Sequence, residues 1–445
     1  MAAQTDSQIY RGEEKIIVSF DIGTTYSAVS FAHAYPGSEI DVKMVPTLVA
    51  YKGDKLVACA AEARDYLDDE EYDVAKWFKL HLHPDSMKRS NLQPADRSDD
   101  DNISAIIEIP SLPPNITLLR VFSDFMRYLF DGFRSFFEEN TPNGLDTWNR
   151  LFSSIVIVLT IPNGWDTRQQ GFLKQAAQLA EIAQSEDDAE LRIEFVSEGE
   201  ASVHYVLERI NHRPWLREGI MFAVMDAGGS TVDSTVYICK ELTPVLVLEE
   251  AGGAFVDRAA HDLLTRKLSD SQYGDQGIIG DIVHKFEQRA KRIFDGIQEF
   301  NVIEFGSRRE NDREHDIVQG KLTLSRLEVG KMFDEVIIQI IASFSKLVEG
   351  RNIEHLVLVG GFGESPFLRS RLREEYGNKG TEVVTVDEPS KKAAAEGAVL
   401  WYTKQMVAKR VARFTMGISL SAYFDKRSKK HMNRRLRAFV DPRQV

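Results

Sequence analysis

Short apolar runs followed by polar, glycine-containing turns recur along the chain. KIIVSF precedes the turn DIGTTYS, and MFAVM precedes DAGGSTVD. Each connection is short and has β-branched residues on both sides, which predicts a β-hairpin at both places. Asp21 and Asp226, the acidic residues of these turns, are almost half the chain length apart. Repetition of one hairpin over this distance predicts two lobes of the same fold with a site between them.

Further segments follow the order strand, polar turn, helix that is typical of an α/β lobe. FSSIVIVLTIP is nearly all apolar, as expected of a strand covered on both faces. In the helix predicted after it, the apolar stripe consists of Phe172, Leu173, Ala176, Ala177 and Leu179. LRIEFVSEGEASVHYVLERI and EHLVLVGGFGESPFLRSRLREEYG repeat the plan. In the last of these, Ser365 suits an N-cap, Pro366 the first helical position and Gly377 the C-terminal end of a helix.

Charge and composition exclude several classes of protein. The net charge of −13 argues against a general nucleic-acid-binding protein, which usually carries a basic surface. The sequence contains no run of about 18 apolar residues, so it predicts no membrane span. The N-terminal residues lack the apolar core of a secretory signal. Cys59 and Cys239 are the only cysteines and lack metal-site spacing. Two free thiols are typical of a reducing compartment, so we expect a cytoplasmic protein.

The residues of the two turns suit a polyphosphate. Glycine has no Cβ, so the backbone N–H groups of Gly228, Gly229 and Gly23 can approach an anion closely, while neighbouring serine and threonine hydroxyls add donors. Asp21 and Asp226 could hold Mg²⁺ through its water shell. Each motif alone is equally well explained as an ordinary hairpin whose aspartate bonds to the turn backbone. The pair in matching contexts favours a phosphate site.

A third glycine-containing element, VLVGGFG, ends a predicted buried strand just before a helix. Its glycines, Gly360 and Gly361, could allow the backbone to lie against a flat ring or a phosphate. The spacing of GGFGES differs from the G-x-G-x-x-G of dinucleotide-binding proteins, and no G-x-x-x-x-G-K-[ST] loop occurs. The sequence therefore predicts neither a Rossmann domain nor a P-loop enzyme.

Together, FDIGTTYSAVSF, VMDAGGSTVDSTV, GGAFVD and LVLVGGFGESPFL resemble the ATPase domain of the seventy-kilodalton heat-shock chaperones, a family related to actin and the sugar kinases. The resemblance is greatest to a divergent branch and covers about residues 15–405. It implies an α/β protein with the actin-like ATPase fold, in which two duplicated lobes of ribonuclease H-like type enclose a central nucleotide cleft. The implied ligands are ATP or ADP and Mg²⁺, and the implied activity is slow Mg-dependent ATP hydrolysis.

By position, the resemblance implies binding roles for three groups of residues. The phosphate-binding turns would be Gly23, Thr24, Thr25 and Tyr26 in the first lobe, and Asp226, Gly228, Gly229, Ser230 and Thr231 in the second. The water shell of the metal would be held by Asp21, Asp226 and Asp233. The adenosine side would be formed by Gln288, Lys291, Arg292, Asp295, Gly360, Gly361 and Phe362, and the cofactor-binding glycines Gly252 and Gly253 would form the turn before the upper-lobe helix.

The implied catalytic residues are Lys79, Glu198, Asp226 and Thr231. Glu198, in VSEGEASVHYVL, matches the family glutamate that orients magnesium and water. The family also uses a lysine to position water for attack on the γ-phosphate, and VAKWFKLHLH offers Lys76 or Lys79. FKLHL favours Lys79, and a solvated lysine on a helix is the alternative explanation. Positioning and charge stabilisation dominate such phosphoryl transfer.

Some positions depart from the family pattern. Ser230 replaces a glycine of the second turn, and its Cβ requires ordinary backbone angles there. Phe362 and Glu364 replace a small polar residue and an arginine that flanks adenine; Phe362 could stack on the base, whereas Glu364 cannot. Lys391 or Lys392 stands where an acidic residue is expected. The adenine end is thus changed more than the phosphate end, which predicts retained triphosphate binding with weaker base selectivity.

The sequence predicts four parts: a flexible N-terminus at 1–14, a first lobe at 15–218 with an insertion at about 35–115, a second lobe at 219–405 with an insertion at about 260–324, and a basic extension at 406–445. The extension is too short for the peptide-binding domain of typical relatives, which argues against client-peptide binding. Co-chaperones or nucleotide-exchange proteins are the implied partners, with no nucleic acid and no membrane. The basic extension is best interpreted as solvated.

Several functions fit these features. A chaperone-type ATPase is the first, and a weakly active or inactive nucleotide-binding module that regulates partner proteins is the alternative. A small-molecule kinase would need a catalytic aspartate beside a sugar pocket, and no convincing one is found. A filament-forming, actin-like role is also compatible with the fold.

Overall fold

The computed structural model describes residues 10, 12–34, 40–67, 69–84, 109–210, 215–229, 231–239, 245–249, 253–386, 393–404 and 427. The acidic loop near residue 95, Ser230, Gly252, Lys391 and Lys392 lie outside these ranges, as do most of the two termini. Among the helices described, none combines the length and apolarity needed to cross a membrane.

The first sheet contains five strands in the order β3-β2-β1-β7-β8. These are β1 (Lys15–Asp21), β2 (Tyr26–Ala34), β3 (Ile40–Pro46), β7 (Val156–Ile161) and β8 (Ile193–Ser197). β1 and β2 pair antiparallel as the predicted hairpin, and β7 joins β1 in parallel. Every residue of β7 is buried, which explains its continuous apolar sequence.

The second sheet repeats this arrangement in the order β11-β10-β9-β15-β16. Its strands are β9 (Met221–Ala227), β10 (Val232–Ile238), β11 (Val245–Glu249), β15 (His355–Val359) and β16 (Glu382–Thr385). β9 and β10 form the second predicted hairpin, and β15 pairs with β9 in parallel. The two sheets have the same order and directions of strands, so the predicted duplication is present in the fold.

Ten helices of seven or more residues surround the sheets in the described ranges. They are α1 (Leu118–Asn140), α2 (Gly144–Leu151), α3 (Thr167–Leu179), α4 (Glu186–Arg192), α5 (Glu198–Ile210), α6 (Gly253–Lys267), α7 (Gln276–Lys285), α8 (Arg326–Val348), α9 (Pro366–Gly377) and α10 (Ala393–Lys404). After α7 the chain continues through a wider π-helical turn, Phe286–Ala290, and a short helix, Lys291–Ile293.

Local signals in the sequence fix several helix ends. Ser365 caps α9 by accepting a hydrogen bond from the Leu368 N–H, as predicted, and Pro366 occupies the first turn. In α3, Leu173 and Ala176 are buried, but Leu179 is 49% exposed. The prediction was wrong at Leu179. Counted from Leu173, the i+3, i+4 and i+7 positions are Ala176, Ala177 and Ala180, and all of these are buried.

Each lobe has its own core. In the first, the aromatic side chains of α1 pack on β1 and β2, where Phe31 lies 5.1 Å from Phe133 between ring centroids. In the second, α6, α7, α8 and α9 supply most of the apolar residues around β9 and β15. Two small sheets, β5-β4-β6 and β12-β14-β13, lie within the predicted insertions. Their strands are β4 (Leu48–Lys52), β5 (Lys55–Cys59), β6 (Asp73–Lys76), β12 (Phe300–Glu304), β13 (Ile317–Val318) and β14 (Lys321–Ser325).

Helices α5 and α10 connect the two lobes. Val203 and Val206 of α5 belong to a cluster with second-sheet residues such as Phe222. Ala398 of α10 instead packs in a cluster with Ile17 of β1. The sequence-based division places α10 in the second lobe, whereas the structure packs it on the first sheet. The Ser19 hydroxyl donates to the Ala395 carbonyl oxygen at 2.6 Å, which fixes α10 to β1.

Candidate functional site

A cleft of about 400 Å³ lies between the lobes and is bordered by the turns of both hairpins. Most of the residues predicted to act at a site contribute to its walls. The predicted residues that line it are Asp21, Gly23, Thr24, Thr25, Tyr26, Lys79, Glu198, Asp226, Gly228, Gly229, Thr231, Lys291, Arg292, Gly360, Gly361 and Phe362.

The first turn is tightly closed. A Cβ on Gly23 would lie 2.1 Å from the Tyr26 carbonyl oxygen, so only glycine fits this close approach. Asp21, at the end of β1, accepts a hydrogen bond from the Thr160 hydroxyl at 2.8 Å. Burial, with a smaller contribution from Glu198, raises the pKa of Asp21 to about 6. The hairpin thus exposes backbone and hydroxyl donors to the cleft beside a buried carboxyl group.

The second turn meets the first across the cleft. It is closed by the Gly228 N–H, which donates to the Thr231 carbonyl oxygen at 2.9 Å. A Cβ on Gly229 would lie 2.6 Å from the Thr25 hydroxyl oxygen, so the turns are in direct proximity. The two equivalent hairpins therefore converge on one cavity.

Asp226 is closely surrounded by neighbouring groups. The Ser202 hydroxyl of α5 donates to it, and burial is the main cause that raises its pKa to about 7. Gly360 has a φ of +83°, and a Cβ there would lie 2.3 Å from Asp226 Oδ1. The third glycine-containing element thus allows the end of β15 to pass directly beside this carboxylate.

Asp233 lies behind Asp226 rather than on the cavity wall. The two are cross-strand neighbours in the β9–β10 hairpin, and Asp233 Oδ1 accepts the Asn163 N–H at 3.3 Å. Burial and the neighbouring carboxylates Glu198 and Asp226 raise the pKa of Asp233 well above its usual value. Like charges directly opposite each other in a sheet are destabilising, so this pair favours a bound cation or a bound proton.

The structure distinguishes the two candidate lysines by position. Lys79 Nζ lies 2.6 Å from Glu198 Oε1, and both side chains are almost completely buried. Lys76 ends the exposed edge of β6 and is not among the cleft residues. Trp77 adopts a left-handed φ of 55°, and the buried Phe78 and Leu80 anchor the following 3₁₀ turn.

At the predicted nucleoside end, Gln288 and Asp295 do not line the cavity, although Lys291 and Arg292 do. The π-helical turn Phe286–Ala290 holds one more residue than an α-helical turn, so its side chains point in other directions than a regular helix would give them. Gln288 is exposed and bonds to His284 at 2.7 Å. Asp295 Oδ1 accepts the Ile297 N–H at 2.8 Å, and Gly253 is the first residue of α6. Binding roles for these three residues stay predictions.

Other cleft residues were not predicted as binding residues. They are Glu287, Glu364, Ser365, Ala393 and Ala394. Glu287 could have been found only by anticipating the π-helical turn, and the alanines only by knowing that α10 crosses to the first lobe. Phe362 contributes to the wall, but its ring packs in the second core, stacked 6.2 Å from Phe333.

The carboxylates suit a hard cation bound indirectly. Oxygen donors are the ligands that Mg²⁺ prefers, and it often retains several waters. In the described ranges, no group of three or more His, Cys, Asp or Glu side chains converges to ligate a metal directly. Asp21 and Asp226 fit contact through a metal's water shell, while a phosphate would supply further oxygens.

Comparisons with known proteins identify the fold. No protein-family model matches the sequence, and no curated protein matches it. Among solved structures, MreB5 of Spiroplasma citri bound to ADP is similar, with a TM-score of 0.55 over 87% of this chain and 96% of that chain, at 13% identity. The chain has the actin-like ATPase fold. The predicted fold class is confirmed, while the heat-shock branch stays a prediction.

The buried carboxyl groups predict a pH-dependent stability. The pKa of Asp226 is raised from 3.8 to about 7, so its proton stabilises the folded state and is lost as pH rises through this window. At pH 8, the free energy of unfolding of Asp226→Asn is expected to exceed that of the parent by about 2–4 kcal/mol, and its unfolding temperature should be correspondingly higher; near pH 4.5 the two should differ little. Thermal unfolding without nucleotide or divalent cation measures this, and exposed Asp187→Asn serves as the control. Equal or lower stability of Asp226→Asn at pH 8 would contradict the prediction.

Proposed function

We propose that the protein binds a magnesium-bound purine nucleoside triphosphate in the cleft and hydrolyses it slowly. The resemblance implies ATP as that nucleotide, and ADP as the product. The convergence of two Asp-bearing glycine turns, one from each lobe, carries this proposal. Such turns offer backbone N–H groups to phosphate oxygens from opposite sides.

The side chains beneath the turns suit the chemistry of phosphate transfer. Asp21, Asp226 and Asp233 would hold the hydrated metal, which when bound neutralises charge on the phosphates. Thr24 and Thr231 present hydroxyl groups at the two turns. Lys79 and Glu198, which pair at 2.6 Å in the cleft, would position the water that attacks the terminal phosphate, and a water-excluded site strengthens their electrostatic effect.

The position of α5 and α10 supports a motion of the lobes. Ser202 of α5 binds Asp226 of the second sheet, while α10 is fixed to the first sheet. We infer that hydrolysis would alter contacts at Asp226 and be transmitted to these helices as lobe opening, in the manner of the heat-shock chaperones.

A nucleotide-binding module with little or no hydrolysis is the second candidate. The observation that favours it is the closed Lys79–Glu198 ion pair, since each group is engaged by the other rather than by solvent. In that case nucleotide occupancy would shape a surface for partner proteins.

Phosphate release with and without Mg²⁺ tests the proposal, alongside nucleotide affinity by calorimetry. We expect Mg²⁺-dependent release that falls about 100-fold in Asp226→Ala, because one preorganised electrostatic group is lost. Asp187→Asn controls for a general loss of negative charge. Tight binding without release would favour the second candidate, and absence of nucleotide binding would refute both.

A further inference from the structure

The indole ring of Trp165 lies against the candidate catalytic lysine. Lys79 Nζ is positioned over this ring at 5.6 Å from its centroid, within the distance at which a cation is attracted to an aromatic face. Both side chains are buried, and the attraction is stronger for a pair that is shielded from water. The Lys79 ammonium is thus held by the ring as well as by Glu198.

Local contacts fix the ring relative to the lysine. The Trp165 N–H donates to the Pro162 carbonyl oxygen at 3.0 Å, in the turn just before α3. Gln169, in the first turn of α3, donates through Nε2 to the carbonyl oxygen of Leu82 at 3.4 Å. Leu82 is the last residue of the 3₁₀ turn that carries Lys79. The segment with the ring and the segment with the lysine are therefore joined directly.

The surroundings of this pair offer little to replace the ring. A cavity of about 10 Å³ borders both Lys79 and Trp165, and the rest of its lining is apolar except for Thr160. The Thr160 hydroxyl already donates to Asp21. A buried water needs about 10–15 Å³ and several polar partners, so this cavity does not suit one. Without the indole, the ammonium would lose a favourable contact and gain no hydration on this side.

The ring also leaves hydrogens of the ammonium available. A lysine ammonium has three donor hydrogens, and in the part of the chain that the structure describes, Glu198 accepts the one hydrogen bond that Lys79 Nζ donates. An aromatic face attracts the charge as a whole and need not engage a particular hydrogen. The lysine can therefore be held in place and still donate to a water molecule or a phosphate oxygen.

We propose that Trp165 is a positioning residue for hydrolysis, whose indole face keeps the Lys79 ammonium beside Glu198, where it acts on the attacking water. The inference rests on the proposed function, since Trp165 would act on that reaction through Lys79. Trp165 is not among the residues that line the cleft. Its effect should therefore fall on the rate of hydrolysis and not on nucleotide affinity.

Fluorinated tryptophans placed at position 165 by cell-free translation test this role. Each fluorine withdraws electron density from the ring face with little change in its shape, which weakens the attraction to a cation. We expect the single-turnover rate constant of Mg²⁺-dependent phosphate release to fall stepwise with the number of fluorines, by about tenfold for the tetrafluorinated ring. Nucleotide affinity, measured by calorimetry, should stay unchanged. Trp165→Leu should slow release by about tenfold or more, and Trp165→Phe by less, because phenylalanine keeps an aromatic face.

Trp148 provides the matched control. It is buried in the core of the first lobe, its ring lies 5.6 Å from Arg134 Cζ, and it is not a cleft residue. The same series of fluorinated rings at Trp148 should leave the rate constant unchanged.

The fluorine series separates positioning from packing. If the parent releases phosphate and the rate constant does not follow the number of fluorines at Trp165, the positioning role is wrong and the proposed function stands. This holds even where Trp165→Leu is slow, since lost packing would then explain that variant. Failure of the parent to release phosphate with Mg²⁺ would overturn the proposed hydrolysis and this inference together.

Discussion

Replacement of Lys79 by alanine is expected to destabilise the protein by about 3–5 kcal/mol and to abolish phosphate release. Lys79 forms an ion pair with Glu198. Its removal takes the positive charge of this pair away from a group of buried acidic side chains, which are Glu198, Asp21, Asp226 and Asp233. Burial alone would lower the pKa of Lys79, but attraction to Glu198 and Asp21 outweighs burial and raises it. The lysine is therefore charged at neutral pH. Chemical denaturation and a phosphate-release assay measure the two effects.

A second variant separates stability from chemistry. Lys79→Met/Glu198→Gln replaces the ion pair with uncharged side chains of similar size, which often restores most of the stability of a broken buried pair. Phosphate release should remain absent in this double variant, because both charged groups are missing. Lys76→Ala is the matched control, since Lys76 lies on the exposed edge of β6, and it should retain stability and activity. Normal hydrolysis by Lys79→Ala would refute the role of Lys79.

The hairpins and glycine turns were predictable because their signals are local. The turn chemistry of Gly23 and Gly228 and the apolar strands beside them specify two hairpins, and the repeat specifies two lobes. The choice between Lys76 and Lys79 was open because the two lysines are only three residues apart in one short stretch, VAKWFKLHLH. The outcome depends on the 3₁₀ turn that follows the left-handed backbone of Trp77, since this turn buries Phe78 and brings Lys79 to the cleft. No pattern in the sequence marks that turn.

Features that depend on distant packing were missed. In α10 the residues from Ala393 to Leu400 are apolar except for Glu396, which is compatible with a buried helix but does not say which sheet covers it. Its contact with β1 depends on the Ser19–Ala395 hydrogen bond between residues far apart in the chain. Similarly, Glu287 rather than Gln288 lines the cleft because of the π-helical turn. Such a turn interrupts the regular α-helical hydrogen bonds, and no simple pattern in the sequence predicts it.

The closest approach between α5 and α10 predicts a second large effect, at Gly397. A Cβ on Gly397 would lie 1.8 Å from the Ala201 carbonyl oxygen, and the obstacle is backbone rather than a movable side chain. Alanine favours a helix over glycine by about 1 kcal/mol, but relief of this overlap requires α5 and α10 to separate. Overpacking of a core costs about 1–3 kcal/mol and occasionally more, so we expect Gly397→Ala to destabilise by about 2 kcal/mol and Gly397→Val by more.

Gly330 offers the matched control for this substitution. It lies inside α8, and a Cβ there would meet nothing within 4 Å. Gly330→Ala is therefore expected to stabilise by about 0.5–1 kcal/mol through helix propensity and a less flexible unfolded chain. Denaturant unfolding of both alanine variants measures the contrast in sign. A stabilised Gly397→Ala would mean that α5 and α10 do not cross this closely. The Arg209–Glu396 and Trp401–Glu200 contacts depend on the same crossing. The inference that these two helices connect the lobes would then be wrong.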